Sequence, residues 1–137
     1  MDDYFAISGC AWRPAPCASR PASERMLAAL RADLDEAALA LAQDGDLAAL
    51  LLDGLLGRIA GCWYARHVGM EPDAHAQLAD LSRRDGPFAR RLRQALRAPD
   101  AAARLAHARG LLSALDAHDA AHDDDSLNDD RMARAAG

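Results

Sequence analysis

Lysine is absent from the 137-residue chain, and valine and isoleucine are nearly absent. Strands therefore have little to be built from, because these β-branched residues are the ones that favour them. Aromatic residues make up only 4% of the sequence. Alanine, the best intrinsic helix former, occupies roughly a quarter of the positions. This composition predicts an all-α fold in a single domain.

Targeting and cysteine patterns are missing as well. The chain has three cysteines, Cys10, Cys17 and Cys62. They are an odd set, and their spacing matches no zinc motif. Residues 1–4 start neither a basic n-region nor a long apolar stretch. The apolar run over 47–64 is interrupted by Asp53 and Arg58, which favours burial in a bundle over a membrane span. We expect a cytoplasmic protein with reduced thiols and no membrane partner.

The pattern of apolar residues and prolines divides the chain into three parts. Residues 1–22 contain clustered prolines, which exclude a regular helix and predict an extended arm. Over 23–122, apolar residues recur at steps of three and four between short breaks, and Ser23 is the predicted first N-cap. Residues 123–137 are polar, acidic and expected to be disordered. The predicted architecture is an up-and-down bundle of four to five helices with an extended N-terminal arm.

The second predicted helix, roughly 47–67, is apolar on nearly all sides, as expected of a helix in the middle of a bundle. Gly54, Gly57 and Gly61 lie in it at steps of three and four. Each glycine costs about 1 kcal/mol of helix propensity relative to alanine, so close approach of another helix is the expected reason for them. Homodimerisation through this helix remains open.

Charge is distributed unevenly along the chain. The net charge of −5 argues against general nucleic-acid binding. Eight arginines lie between residues 83 and 109 against two aspartates, whereas 111–130 holds seven aspartates and no arginine. Arg90, Arg93 and Arg97 share one helical face, and guanidinium groups bind phosphate and carboxylate in bidentate fashion. The pattern indicates an anion-binding surface, with a solvated helix face as the alternative.

Large polar and aromatic side chains end the second predicted helix: Trp63, Tyr64, Arg66 and His67. They are candidates for lining a ligand pocket, and the alternative places Trp63 in the core with Arg66 and His67 at its edge. No serine–histidine–acid or cysteine–histidine grouping follows from the spacing, and no glycine-rich phosphate loop is present. The sequence therefore predicts no catalytic residues.

A pair of histidines has metal-like spacing. His118 and His122 are four residues apart, which places both on one face of a helix, with Asp119 beside them. This is half of a zinc or iron site, and His67 and His75 are the candidates for a third ligand. Solvated polar residues at the end of a fraying helix are the alternative reading.

A resemblance to a known family covers residues 44–116. It rests on Gly57-Arg58-Ile59, Cys62-Trp63-Tyr64, Ala74-His75-Ala76 and the segment from Phe88 to Leu96. Together these resemble the helical C-terminal domain of nucleotidyltransferases such as the aminoglycoside adenylyltransferases. The resemblance implies a bundle of four or five helices that helps to bind substrate beside a catalytic partner. The family's Gly-Ser loop and paired aspartates are absent from this chain.

Two functional predictions follow. The first is a non-catalytic binding or accessory domain without a cofactor, with its pocket near Trp63–His67 and Arg90, Arg93 and Arg97 at the rim. Its partner would be a small anionic or nucleotide-like ligand, or a separate catalytic protein chain. The alternative is a small metal-dependent enzyme that uses His118 and His122 with zinc or iron.

Overall fold

The computed structural model of the chain describes residues 11–15 and 19–116. This part of the chain consists of β1 (Trp12–Pro14), α1 (Arg20–Gln43), α2 (Gly45–His67), β2 (Met70–Pro72), α3 (Ala74–Arg84), α4 (Gly86–Leu96) and α5 (101–116). Helices dominate, and the strands form one short two-stranded sheet. The prediction of an all-α bundle with an N-terminal arm is confirmed.

Helices α1 and α2 form a long antiparallel hairpin joined through Asp44 alone. The Oδ1 atom of Asp44 accepts hydrogen bonds from the backbone N–H groups of Asp46, at 3.1 Å, and Leu47, at 3.3 Å, which caps α2. An ion pair crosses the hairpin, with Arg58 Nη1 at 2.5 Å from Asp33 Oδ2. A single aspartate therefore both ends one helix and starts the next.

Helix α1 begins before the predicted N-cap. Ser19 is the actual cap, and its hydroxyl oxygen accepts a hydrogen bond from the backbone N–H of Ala22 at 3.3 Å. Pro21 lies in the first turn, where its missing N–H costs nothing and its fixed φ suits a helix. Ser23, the predicted cap, is instead buried within the helix. The proline that we assigned to the extended arm therefore belongs to α1.

The core surrounds the C-terminal half of α2. Seven consecutive residues of α2, Ile59–Ala65, are buried, because α1, the α3–α4 pair and the sheet pack around this part of the helix. The N-terminal half of α2 keeps one exposed face. The largest fully buried apolar and aromatic side chains are Leu30, Leu52, Leu56, Ile59, Tyr64, Leu81 and Leu111.

Helix α5 is fixed to the rest of the bundle by arginines. Arg104 forms an ion pair with Asp53 of α2 and donates from Nη2 to the carbonyl oxygen of Leu96 at 3.3 Å. Arg31 of α1 forms an ion pair with Asp116 at the far end of α5. The Leu96 contact joins α5 to the C-terminal end of α4.

The N-terminal arm adds a small sheet that the sequence did not predict. Strand β1 pairs antiparallel with β2, and Arg13 lies opposite Glu71. Arg13 Nε donates to the buried carboxylate of Glu71 at 2.9 Å, and Arg13 Nη1 donates to Asp73 at 3.2 Å. Gly69, with φ of +83°, makes the turn from α2 into β2. The pairing holds the arm against the end of α2.

One described helix, α2, is long and apolar enough to cross a membrane by length and composition. In this fold 56% of its most apolar stretch is buried by the rest of the chain. Burial of that kind is also found in the core helix of a bundle.

Candidate functional site

The amphipathic sequence of α4 decides where its arginines point. Pro87 lies in the first turn, and Asp85 caps the helix by accepting the backbone N–H of Phe88 at 3.1 Å. The buried face of α4 consists of Phe88, Ala89, Leu92 and Ala95. Because these apolar residues face the core, the arginines between them must point outward.

Three of these arginines line one groove between α4 and α5. The groove, which we call the arginine groove, has a volume of about 570 Å³ and is lined by Arg90, Arg93, Gln94, Arg97, Ala98, Pro99 and His107. It is open to solvent along its length, and Arg90, Arg97 and His107 are exposed. The lining contains no aspartate or glutamate, so its positive charge is not neutralised by a carboxylate within it.

The position of Arg93 is set by a neighbouring helix. Its Nη2 atom donates to the hydroxyl oxygen of Ser82 in α3 at 3.2 Å, and that hydroxyl donates to the carbonyl oxygen of Leu78 at 2.8 Å. Holding one N–H in this way orients the guanidinium group, which has five N–H donors in total. An arginine that is already oriented loses less side-chain entropy when a ligand binds, so binding costs less free energy.

His107 joins the groove through the geometry of α5. Leu105 and Ala108 are buried, which places His107 on the outer face of the helix, one turn from Arg104. Sequence reasoning did not include His107 in a site with the arginines. Two features of the sequence could have placed His107 beside the arginines. They are the periodicity of the buried residues in α5 and the short connection at Pro99 and Asp100, after which α5 runs back along α4.

The predicted pocket residues Trp63 and His67 line a different, smaller cavity. It measures about 150 Å³ and is lined by Trp63, His67, Asp85, Pro87, Phe88, Arg91, Ala114 and Leu115. The ring centroids of Trp63 and His67 lie 4.8 Å apart. Trp63 Nε1 donates to Asp85 Oδ2 at 3.1 Å, so the capping aspartate of α4 also fixes the indole.

The structure places the residues of the predicted pocket and its arginine rim at two separate sites. Arg90, Arg93 and Arg97 line the arginine groove, whereas Arg91, one residue away, is the arginine at the Trp63 cavity. A helix turns about 100° per residue, which places Arg91 on a different side of α4 from Arg90.

Tyr64 and Arg66 line neither of these two sites. Tyr64 is 0% exposed, and its hydroxyl donates to Asp80 Oδ2 at 2.5 Å. Asp80, itself 2% exposed, also accepts from Arg84 Nε at 2.8 Å and from Arg83 Nη2 at 3.3 Å. Burial, followed by the bond to Asp80, raises the pKa of the Tyr64 hydroxyl well above its usual value. In this structure Tyr64 is therefore a core residue with its hydroxyl bonded to Asp80.

Arg66 is partly buried beside this core. The buried network was not predicted, although Asp80 with arginines three and four residues later was a visible signal for an ion-pair cluster on α3.

The predicted metal ligands His118, Asp119 and His122 lie outside the residues that the structure describes. The two candidate third ligands, His67 and His75, are both exposed. Within residues 11–15 and 19–116, no group of three or more histidine, cysteine, aspartate or glutamate side chains could hold a metal ion.

Comparison with known proteins adds no family to this description. No family model matches the chain, and no match was found among curated proteins or solved structures.

Proposed function

We propose that this chain is a non-catalytic binding protein that takes a small anionic ligand, with phosphate as the recognised group, in the arginine groove. One observation carries the proposal: three arginines and a histidine line a groove of about 570 Å³ in which no carboxylate is present. Like charges brought together on a surface repel one another, and an anion relieves that repulsion.

The size and chemistry of the groove suit such a ligand. Pockets for small molecules commonly enclose about 300–1,000 Å³, so a groove of this volume has room for a nucleotide-sized molecule. Arginine forks match phosphate oxygens geometrically, and Gln94 adds an amide that can donate or accept. The open shape leaves part of the ligand in water, so we expect micromolar rather than nanomolar affinity.

The lining favours holding a ligand over transforming it. Arginine and glutamine side chains supply positive charge and N–H donors, while a nucleophile or general base with an orienting partner would be needed for acyl or phosphoryl transfer.

The family resemblance supports the same class of ligand. If residues 44–116 are related to the helical domain of nucleotidyltransferases, a nucleotide-like or phosphorylated compound is the expected occupant. A separate catalytic chain would then be the partner that acts on it. The proposal for the groove does not depend on this kinship, because it follows from the charges alone.

Charge reversal of two groove residues tests the proposal. We expect the Arg90→Glu, Arg93→Glu variant to bind ATP and inorganic phosphate at least about tenfold more weakly, because charge-assisted hydrogen bonds contribute about 1.5–3 kcal/mol each. Isothermal titration calorimetry at about 0.1 M salt measures the difference.

The matched control is Arg20→Glu, Arg25→Glu, which changes the net charge equally at exposed positions of α1. This control should bind within about twofold of the unmodified protein, since distant charges are screened beyond about 10 Å at 0.1 M salt. If both variants bind as tightly as the unmodified protein, or if both lose the same affinity, the groove is not the binding site. Quenching of Trp63 on ligand addition in a Trp12→Phe background would instead point to the smaller cavity.

A further inference from the structure

The smaller cavity, which we call the tryptophan cavity, has an apolar and aromatic wall. The buried part of its lining consists of Trp63, Phe88 and Leu115, each 5% exposed or less. The ring centroids of Trp63 and Phe88 lie 6.1 Å apart, and the ring planes are inclined by 30°. The ring of His67 also contacts the Trp63 ring. Such a wall suits a flat apolar group, because aromatic rings pack in offset or edge-to-face arrangements at these distances.

Asp85 is the only carboxylate among the described residues that line the tryptophan cavity. Both of its oxygen atoms already accept hydrogen bonds from the fold. Oδ1 accepts from the backbone N–H of Phe88 and Oδ2 accepts from Trp63 Nε1, each at 3.1 Å. The carboxylate also lies at the N-terminus of α4, where the helix dipole offsets negative charge. Asp85 therefore offers little attraction to a cationic ligand.

Arg91 gives the opening of the cavity a positive charge. It is exposed and lines the cavity together with the aromatic rings. No carboxylate within residues 11–15 and 19–116 forms an ion pair with Arg91. Its guanidinium fork can therefore bind a ligand, and such forks match the two oxygen atoms of a carboxylate. The charge and the aromatic wall together favour a ligand with an apolar ring and one negative group.

The volume of the tryptophan cavity limits the ligand to a single ring. The cavity measures about 150 Å³, and an apolar protein cavity of about that volume holds one benzene molecule. A nucleotide is too large for it, since the pockets of larger ligands enclose about 300–1,000 Å³.

We propose that the tryptophan cavity binds a small aromatic carboxylate, with the ring against Trp63 and Phe88 and the carboxylate on Arg91. Both parts of the ligand are needed, because a carboxylate without a ring leaves the apolar wall uncovered and a ring without charge leaves Arg91 unpaired. This inference does not depend on the proposed anion site, since the described linings of the two sites share no residue.

A titration of the unmodified protein with benzoate tests the proposal. The chain contains two tryptophans, Trp12 and Trp63, so its NMR spectrum has two indole N–H signals. The spectrum of a Trp12→Phe variant assigns the signal of Trp63. We expect benzoate to shift this signal saturably, with a dissociation constant on the order of 1 mM or below, since a ligand of this size has few atoms to contribute. Isothermal titration calorimetry measures the affinity independently.

Three further compounds separate the contribution of the ring from that of the charge. Benzamide keeps the ring without the charge, acetate keeps the charge without the ring, and benzylammonium reverses the charge. Each should bind at least about fivefold more weakly than benzoate, because each loses either the charge-assisted hydrogen bonds or the apolar contact. Binding of any of the three as tightly as benzoate overturns the proposal.

Two variants locate the site. Arg91→Gln should weaken benzoate binding at least about tenfold, because it removes charge-assisted hydrogen bonds. Arg25→Gln, at an exposed position of α1, is the matched control and should bind normally. Ala114→Leu should fill the cavity and abolish binding, whereas Ala106→Leu on the exposed face of α5 should not.

Two results in these titrations would overturn the proposal. The first is a Trp63 signal that benzoate leaves unchanged up to about 20 mM, well above the expected dissociation constant. The second is binding of benzoate to Arg91→Gln or Ala114→Leu as tightly as to the unmodified protein, because benzoate would then lie elsewhere.

Discussion

At the scale of single residues, the buried acid Asp80 organises more of this protein than any residue of the predicted pocket. It accepts from the Tyr64 hydroxyl and from two arginines of its own helix, so its carboxylate is paired although it is 2% exposed. A buried carboxylate without such partners would cost several kcal/mol. The arrangement also keeps the Tyr64 hydroxyl protonated, because burial and Asp80 both raise its pKa.

This linkage predicts how stability depends on pH. Tyr64→Phe should lower the free energy of unfolding by about 1–3 kcal/mol at pH 7, since it removes a buried hydrogen bond to a charged group. The folded protein retains the Tyr64 proton above pH 10, whereas the unfolded chain loses it, so the contribution of this hydroxyl falls as the pH rises past about 10. The difference between the two proteins should therefore narrow in urea denaturation at alkaline pH. A constant difference up to about pH 11 would contradict the raised pKa.

At the scale of secondary-structure elements, α2 combines two kinds of helix. Its C-terminal half is surrounded by the core, whereas its N-terminal half has an exposed face with Leu47, Leu50, Gly54 and Gly57. The sequence predicted a helix buried on nearly all sides, with another helix against the glycines. At Gly61 the neighbour is Glu71 of the strand β2 and not another helix, and α1 and α5 leave Gly54 and Gly57 open.

The open glycines predict a gain in stability on substitution. Gly54→Ala and Gly57→Ala should each raise the free energy of unfolding by up to about 1 kcal/mol, because alanine is the better helix former and its methyl group meets no neighbour. Urea denaturation measures this. Ala29→Gly at an exposed position of α1 should show a loss of similar size. Destabilisation by either alanine would mean that α2 is packed differently.

At the scale of the whole molecule, the N-terminal arm closes the fold over the end of α2. Strand β1 pairs with β2, and the Trp12 ring packs edge-on against Tyr64 with centroids 6.3 Å apart. The guanidinium carbon of Arg84 lies 5.4 Å from the Trp12 ring centroid, which adds a cation–π contact. Residues far apart in the chain thus meet over the Asp80 network.

Removing the Trp12 ring should therefore affect the whole fold. We expect Trp12→Ala to lower the free energy of unfolding by about 2–3 kcal/mol, below the 3–5 kcal/mol typical of a fully buried tryptophan, since Trp12 is half-buried. Trp12→Phe, which keeps an aromatic ring, should lose less. Unchanged stability of Trp12→Ala in thermal and urea denaturation would show that the arm contributes nothing to the bundle.

Local physics made much of this architecture predictable. The all-α class and the helices α2, α3, α4 and α5 follow from helix propensity, from the spacing of apolar residues, and from capping residues or prolines at the helix ends. These signals act between residues a few positions apart, so they can be read along the chain. The outward direction of Arg90, Arg93 and Arg97 was predictable in the same way, because the apolar residues of α4 recur at helical spacing and mark its buried face.

The sequence by itself thus determined the helices and their buried faces, while the tertiary structure decided which faces meet. The pairing of Arg13 with Glu71, the burial of Tyr64 against Asp80, and the separation of the Trp63 cavity from the arginine groove all join residues on different elements. Such contacts depend on helix directions and on the length and angle of each connection, and these are set only when the whole core packs at once. Periodicity places a side chain on a face of its own helix and carries no information about the neighbour across from it.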